Sequence, residues 1–381
     1  MGATISVHTA PSLEGNELRI EAEFCVNLRG RSELCHSCTD ACPSDALNLS
    51  IDSVSVDRDL CQNCGACVSH CPTAALTLSG FSPARFVDAA AALESPHIHC
   101  RESKDDGGGI VIPCFLSLNA ELIAAALGRG VSLWSLHGLD RCETCLRGDA
   151  RQQTQVIIEQ LSDWFGDAAP QLDLTPDTQA DGERLAEHQT RVSRRNFLRL
   201  TGTHGIEKAA KWILPIESDP DPLDTLPFYQ QEGFTQTPRP SLALLASQAN
   251  KLPWRPSARL PWRKHWVSDE CSACLSCGKR CPTGALVSVE QQGIAALGFQ
   301  QDLCSDCGLC EAICPTSAIQ IDTLSSVAEL TIQHQAVMRR QQQPCSVCGH
   351  PFIPVVESDT RCPTCEKEQD LDDDWMSMLG E

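Results

Sequence analysis

The sequence predicts an α+β protein in which two small cysteine-rich units flank a small α/β unit and an acidic linker, with a cysteine knuckle near the C-terminus. Three observations support this prediction. The chain has 24 cysteines in 381 residues, most of them stand in C-x-x-C clusters, and the cluster pattern of residues 20–80 returns in residues 265–322. A pattern that returns in this way indicates an internal repeat, so we expect the two units to share one fold.

The predicted boundaries follow the distribution of the cysteines along the chain. The two cysteine-rich units contain eight each, the α/β unit and the C-terminal part contain four each, and the linker contains none. The five parts, in order, are residues 1–81, 82–166, 167–250, 251–325 and 326–381. Within the linker, residues 216–232 contain five acidic residues and no basic one, a composition typical of solvated chain.

The cysteines favour metal sites over disulfide bonds. Disulfide frameworks belong to short secreted chains, whereas this chain is long and its first ten residues, MGATISVHTA, do not resemble a secretory signal. The sequence also lacks an apolar run of the length that a membrane span requires. We therefore expect a cytoplasmic metalloprotein without a membrane span.

The net charge of −20 limits the class of partner. Nucleic acid is excluded as an expected partner, because phosphate binding requires a basic surface. An acidic surface instead steers association with basic proteins, although the same charge also serves solubility alone.

The clearest motif lies in the second cysteine-rich unit. Its first half has the spacing C-x2-C-x2-C-x3-C-P and ends at Cys281, and its second half repeats that spacing and ends at Cys314. This pattern resembles the bacterial two-cluster ferredoxins in every element. A zinc site needs only four thiolates and does not explain eight cysteines in this order. The resemblance implies two [4Fe-4S] clusters in this unit.

The same resemblance implies the ligands of each cluster. Three cysteines of one half wrap one cluster, and the fourth, which precedes the proline, ligates the other cluster. The two implied ligand sets are Cys271, Cys274, Cys277 and Cys314 for one cluster, and Cys281, Cys304, Cys307 and Cys310 for the other.

The first cysteine-rich unit departs from this pattern in its first half. Ser32 stands where the first cysteine is expected, and the nearest substitute is Cys25, behind an insertion of residues 26–34. The implied ligand sets are Cys25, Cys35, Cys38 and Cys71 for one cluster, and Cys42, Cys61, Cys64 and Cys67 for the other. A three-iron cluster is the alternative for the first set, should Cys25 not be a ligand. With four cubanes in total, the chain resembles a polyferredoxin.

Four more cysteines follow predicted strands of the α/β unit. One strand is predicted before Cys114, another before Cys142 and Cys145, and Ile98 leads into Cys100. Because the carboxyl ends of parallel strands meet at one edge of a sheet, these thiols are expected to converge on one metal. The pattern resembles the small iron–sulfur subunit that links hydrogenases to heterodisulfide reductases, which implies a [2Fe-2S] centre. Zinc and buried free cysteines are the alternatives.

The last four cysteines form two knuckles. Cys345 and Cys348 make the first, Cys362 and Cys365 make the second, and thirteen residues separate them. The arrangement resembles a zinc ribbon, and the second knuckle also resembles rubredoxin. The resemblance implies one structural zinc ion, with mononuclear iron as the alternative.

Two weaker signals lie between the cysteine-rich units. Residues 193–199, SRRNFLR, resemble a twin-arginine export signature, but their place inside the chain and the polar residues after them favour a basic amphipathic helix within residues 188–214. Trp254, Trp262 and Trp266 lie among basic residues. We expect them to pack the linker onto the second cysteine-rich unit rather than to bind nucleic acid.

The sequence shows no nucleotide-phosphate loop, catalytic triad or flavin fingerprint, so no substrate-converting site is predicted. It predicts an electron-transfer protein that relays single electrons through four [4Fe-4S] clusters between a donor and an acceptor protein. An accessory subunit of a formate dehydrogenase, of another molybdenum enzyme or of a hydrogenase is a candidate role. The alternative is an iron–sulfur redox sensor or assembly adaptor without a relay.

Overall fold

The computed structural model describes residues 17–103, 109–175, 184–185, 236–291, 293–354 and 358–379. Helices and short strands are mixed along these residues, in agreement with the predicted α+β class. The expected basic helix, its twin-arginine-like stretch and the acidic residues 216–232 lie outside the described residues.

The first cysteine-rich unit is built from two small antiparallel pairs and three short helices. The elements are β1 (Leu18–Ile20), α1 (Val26–Gly30), α2 (Ser37–Asp40), β2 (Leu47–Leu49), β3 (Val54–Val56), α3 (Ala66–His70) and β4 (Leu76–Leu78). Strand β1 pairs with β4, with Leu18 opposite Leu78, and β2 pairs with β3. Since β1 and β4 lie at opposite ends of the unit in sequence, their pairing closes it around the cysteines.

The α/β unit contains the parallel sheet that the sequence predicts. Its elements are α4 (Pro83–Ala91), β5 (His97–Cys100), β6 (Gly109–Ile112), α5 (Ala120–Leu127), β7 (Leu133–His137), α6 (Arg151–Phe165), β8 (Gln171–Asp173) and β9 (Arg184–Leu185). The strand order is β8-β7-β5-β6-β9, and every pair is parallel. The carboxyl ends of β5, β6 and β7 therefore lie at the same edge of the sheet.

The segment before the second cysteine-rich unit packs onto the α/β unit. Helix α7 (Pro240–Gln248) contacts α5 and buries Leu242 and Leu245 in the same core. Trp254 contacts Trp164 of α6, and Trp262 is fully buried in this core. Trp254 and Trp262 therefore pack on the α/β unit, in a core that also contains Leu324 of the second cysteine-rich unit.

The second cysteine-rich unit repeats the first and enlarges it. Its elements are β10 (Arg263–Val267), α8 (Ser276–Arg280), β11 (Leu286–Gln291), β12 (Ile294–Phe299), α9 (Leu309–Ala312) and β13 (Ile319–Thr323). Strand β10 pairs with β13, just as β1 pairs with β4 in the first unit. Strand β14 (Gln335–Gln341), expected in the C-terminal part, pairs with β12 and so belongs to this unit.

The C-terminal part is a small knuckle followed by a helix. Strands β15 (Gln343–Pro344) and β16 (Pro351–Phe352) pair antiparallel. The acidic residues between Cys365 and Leu379 belong to α10 (Pro363–Leu379).

The first cysteine-rich unit and the α/β unit share one hydrophobic core. Cys64 and Ala66 belong to the same buried cluster as Phe115 and Leu116 of the α/β unit. Across the boundary, the Ser69 hydroxyl donates to the Leu116 carbonyl oxygen at 2.7 Å. A single packed body therefore extends over both units.

Within the described residues, no helix has both the length and the apolar sequence needed to cross a membrane.

Candidate cluster and metal sites

The second cysteine-rich unit brings its eight thiols together in two groups of four. Burial, together with three neighbouring thiols, raises the pKa of Cys277 to about 12; the three are Cys274, Cys271 and Cys314. Burial also raises the pKa of Cys310, whose neighbours include Cys304, Cys307 and Cys281. These last four cysteines line one cavity of about 370 Å³, part of it open to solvent, together with apolar side chains such as Phe299 and Leu309.

The first cysteine-rich unit groups its thiols in the same way. Burial raises the pKa of Cys38 to about 12, and the neighbouring thiols that contribute are Cys71, Cys25 and Cys35. A second cavity, of about 320 Å³, is lined by Cys42, Cys61, Cys64 and Cys67. Cys25 therefore lies beside the other three cysteines of its set despite the insertion that follows it.

Asn27 explains how the insertion brings Cys25 and Cys35 together. Its side chain is fully buried in α1. The amide oxygen accepts from the backbone N–H groups of Leu34 and Cys35, at 3.0 and 2.8 Å, and the amide nitrogen donates to the Cys35 carbonyl at 2.9 Å. The two ends of the insertion are thus held next to each other by one side chain. Sequence reasoning missed this residue, because Asn27 has no counterpart in the regular spacing.

Replacing Asn27 with leucine is expected to remove the cluster held by this set while leaving the other sites loaded. The substitution removes the acceptor of the Cys35 N–H group, at a cost of about 1–3 kcal/mol, and the donor to the Cys35 carbonyl. The Leu34 N–H group keeps the Ser32 carbonyl as an acceptor. Iron and sulfide analysis of the purified protein measures the effect. The matched control is Asn48→Leu, because Asn48 is exposed on β2 of the same unit. Equal iron contents in both variants would contradict the role of Asn27.

The loops around the thiols use left-handed backbone at one repeated position. Gly65 and Gly308 follow the second cysteine of their motifs and have φ of +86° and +74°. Leu275 occupies the same place with φ of +59°. Gly278 lies in α8, where an added Cβ would stand 2.8 Å from the Ser288 nitrogen. Its role is close packing against β11.

Backbone N–H groups donate to the sulfur atoms of several cysteines. The N–H groups of Ala46 and Ala318 donate to Cys42 and Cys314 Sγ, at 3.3 and 3.2 Å. Each acceptor is the cysteine that precedes a proline. Hydrogen bonds of this kind stabilise bound thiolates and help to set a reduction potential.

Four cysteines of the two cysteine-rich units precede a proline, and a hydroxyl group lies two residues after each of them. These cysteines are Cys42, Cys71, Cys281 and Cys314. The distances from Sγ to the hydroxyl oxygen are 3.6–3.8 Å. The residues are Ser44, Thr73, Thr283 and Thr316. Sequence reasoning missed them, although the fourfold repeat of C-P-[ST] is visible in the sequence.

The structure places the four cysteines of the α/β unit at one edge of its sheet. Cys100 ends β5, Cys114 follows β6, and Cys142 lies in a 3-10 helix after β7. Burial raises the pKa of Cys100, and the neighbouring thiols of Cys142 and Cys145 raise it further. Cys114 has Cys100 and Cys142 among its thiol neighbours. The thiols therefore converge at this edge of the sheet, but no three of their sulfur atoms lie within 4.8 Å of one another.

The C-terminal cysteines form a tighter group than the others. The sulfur atoms of Cys345, Cys348, Cys362 and Cys365 all lie within 4.8 Å of one another. Four thiolates bound to one ion at about 2.3 Å lie at comparable separations, so this group fits a single metal ion. Backbone N–H groups of Cys348 and Cys362 lower the pKa of Cys345 to about 6, which favours the thiolate that a metal requires.

Removing the metal from this knuckle is expected to unfold the C-terminal part alone. Its core consists of only three buried cysteines with Phe352 against them, so the metal supplies most of the folding free energy. Circular dichroism should lose helix signal from α10 in Cys362→Ser. The visible absorbance of the remaining centres should stay unchanged, and a simultaneous loss of that absorbance would contradict an independent knuckle.

The donor sets fit iron–sulfur clusters in the two cysteine-rich units. Each set offers four thiols, two of the sets line a cavity with apolar walls, and N–H groups point at the sulfur atoms. Thiolate ligands in such an environment are typical of [4Fe-4S] clusters.

The comparisons with known proteins agree with this geometry. A family model described as a 4Fe-4S binding domain matches residues 54–77. A second model, described as a 4Fe-4S dicluster domain, matches residues 270–319 and spans all eight cysteines of the second unit. A search of curated proteins gives no match to the chain. The irregular half of the first unit, with Cys25, lies outside both matched segments.

Proposed function

The chain carries two ferredoxin-type 4Fe-4S domains in the manner of a polyferredoxin, and we propose that it relays single electrons between partner redox proteins. The observation that carries this proposal is the grouping of sixteen thiols into four sets of four in the two cysteine-rich units. A [4Fe-4S] cluster, when bound, supplies a centre that accepts and returns one electron.

The protein's own residues perform three tasks in this relay. The thiols bind the metal centres, and apolar residues such as Leu309 and Phe299 keep water from the cavity. Backbone N–H groups, such as those of Ala46 and Ala318, stabilise the bound thiolates. A rigid surrounding keeps the nuclei nearly fixed while an electron moves, which favours fast transfer.

For the two remaining sites we propose different roles. The Cys100, Cys114, Cys142 and Cys145 site would hold a [2Fe-2S] centre and extend the relay. The C-terminal knuckle would hold zinc, which has no redox chemistry. The zinc would maintain the fold of a surface on which a partner protein docks.

The partners proposed are a one-electron donor and a one-electron acceptor with basic docking surfaces. The net charge of −20 supports this choice, because it attracts basic proteins and repels acidic ones. A formate dehydrogenase, another molybdenum enzyme or a hydrogenase is proposed as one such partner.

Iron, zinc and acid-labile sulfide analysis of anaerobically purified protein tests the proposal, together with EPR of the dithionite-reduced sample. We expect about sixteen irons and sixteen sulfides from the four cubanes, about two more of each from a [2Fe-2S] centre, and about one zinc. Fewer than about eight irons in a fully loaded sample would overturn the relay. Irreversible cluster loss on oxidation, in place of reversible reduction, would favour the sensor or adaptor.

A further inference from the structure

The two cysteine-rich units meet at a buried arginine. Arg29, in α1 of the first unit, is 1% exposed. Its Nη1 donates to the backbone carbonyls of Arg280 and Cys281 in the second unit, at 3.2 Å each. Its Nε donates to the Glu23 carbonyl in its own unit. The guanidinium therefore joins backbone groups of both units.

The contact is reciprocal and closely packed. Arg280 Nη1 donates to the Arg29 carbonyl at 3.0 Å. At the next residue, Gly30, an added Cβ would stand 2.8 Å from Leu309 Cδ1. Leu309 belongs to α9 and is itself buried. The Leu309 side chain therefore packs directly against the Gly30 backbone.

The contact brings together one thiol set from each unit. Burial raises the pKa of Cys307 to about 12, and Cys35 of the first unit is among the thiols that contribute. Arg29 lies within electrostatic reach of both Cys281 and Cys307. We call this contact the junction; it joins the set of Cys35 to the set of Cys307.

Other neighbouring thiols place the remaining sites on either side of the junction. In the second unit, Cys310 has Cys277, which belongs to the unit's other thiol set, as a neighbour. In the first unit, Cys67 has Cys38 as a neighbour. Cys64, which belongs to the same set as Cys67, is a neighbour of Cys114 in the α/β unit. Each thiol set is thus next to the following one, and the junction is the third of the four steps when they are counted from the α/β unit.

A buried cation at this place favours the reduced form of an adjacent centre. Arginine stays protonated inside proteins. A thiolate-bound centre gains one negative charge on reduction, and a nearby positive charge stabilises that charge more strongly away from bulk water. The reduction potential of the adjacent centre therefore rises.

We propose that electrons cross between the two units at this junction, and that Arg29 positions the units and raises the reduction potential of the centre held by Cys281, Cys304, Cys307 and Cys310. The inference rests on the proposed function. At each step one centre is oxidised by one electron and its neighbour is reduced by one, and no bond forms or breaks. The electron enters from a reductant protein and leaves to an oxidant protein.

Potentiometric titration of Arg29→Gln, followed by EPR, tests the inference. We expect the equilibrium constant for reduction to fall at least tenfold at one cubane, a shift of about 59 mV for one electron, with the others unchanged. Arg58→Gln is the matched control, because Arg58 is exposed in the same unit and its charge is screened by water. Four cubanes with unchanged potentials in Arg29→Gln would overturn the inference without affecting the proposed function.

A second variant tests the same charge without disturbing the junction. Glu23 is a negative neighbour of Arg29 and is only partly buried, so Glu23→Gln should leave the fold intact. It removes a negative charge from the junction. The equilibrium constant for reduction of the same cubane should rise about threefold, and its reduction potential should rise with it. An unchanged or lower potential in Glu23→Gln would overturn the inference, even if Arg29→Gln fails to bind its iron.

Discussion

Cys25→Ala is expected to destroy the cubane of its site and to leave the other centres loaded. The reason is that a [4Fe-4S] cluster takes four thiolates, and the structure places Cys25 beside the other three cysteines of the set. The loaded protein should lose between about one and four irons per chain, and the oxidised sample should gain a three-iron EPR signal if one iron alone is lost. Iron analysis and EPR measure both effects.

Ser32→Ala is the control for this variant. Ser32 occupies the position at which the regular motif has a cysteine, so its hydroxyl is the competing ligand. Iron content should stay at the wild-type value in Ser32→Ala. A full cubane in Cys25→Ala that disappears in the double variant would show that the serine, not Cys25, completes the site.

The ferredoxin resemblance implied the thiol groups from the sequence because cluster ligands lie on short local loops. In the second unit, three thiols of each set come from one seven-residue stretch, and only the fourth arrives from elsewhere in the chain. The same local logic predicted the α/β site, since Cys100 ends one strand and Cys114 stands two residues after another. Because the carboxyl ends of parallel strands lie at one edge of the sheet, cysteines at those ends come close together.

Spacing could not predict the contacts between distant segments. Arg29 meets Arg280 across about 250 residues of chain, and nothing in the local pattern around either residue encodes that contact. Leu275 has left-handed backbone at the position that glycine occupies in the neighbouring motifs, so a search for glycine misses it. Asn27 was missed for a similar reason, because its partners lie across an insertion that the regular motif lacks.

The sequence also did not predict that the segment containing Trp262 packs on the α/β unit. Trp262 stands next to the second cysteine-rich unit in sequence, and nearness in sequence favoured packing there. In the structure, the residues after α7 fold back onto α6, and Trp164 Nε1 donates to the Arg259 carbonyl at 3.0 Å. Residues of α7 and the tryptophans after it share one core with α5 and α6, so a later segment covers these helices.

Trp262→Ala is expected to destabilise this layer strongly. Trp262 is 0% exposed and its ring centroid lies 5.7 Å from that of Trp254. Truncating a buried tryptophan costs about 3–5 kcal/mol. Trp262 Nε1 is buried without a hydrogen-bond partner among the described residues. Its removal therefore relieves an unsatisfied donor, and the expected loss lies nearer about 3 kcal/mol.

Amide hydrogen exchange is the suitable measurement, because it reports local opening even where whole-chain unfolding is irreversible. Exchange in α5 and α6 should accelerate by about two orders of magnitude in Trp262→Ala, which corresponds to about 3 kcal/mol. Trp266→Ala is the matched control, since Trp266 is 45% exposed on β10, and it should leave α5 and α6 unchanged. Unchanged exchange of α5 and α6 in Trp262→Ala would contradict the packing of this segment on the α/β unit. Acceleration in Trp262→Ala alone makes the α/β unit dependent on a segment more than 75 residues further along the chain, and it ties the fold of the Cys100, Cys114, Cys142 and Cys145 site to that segment.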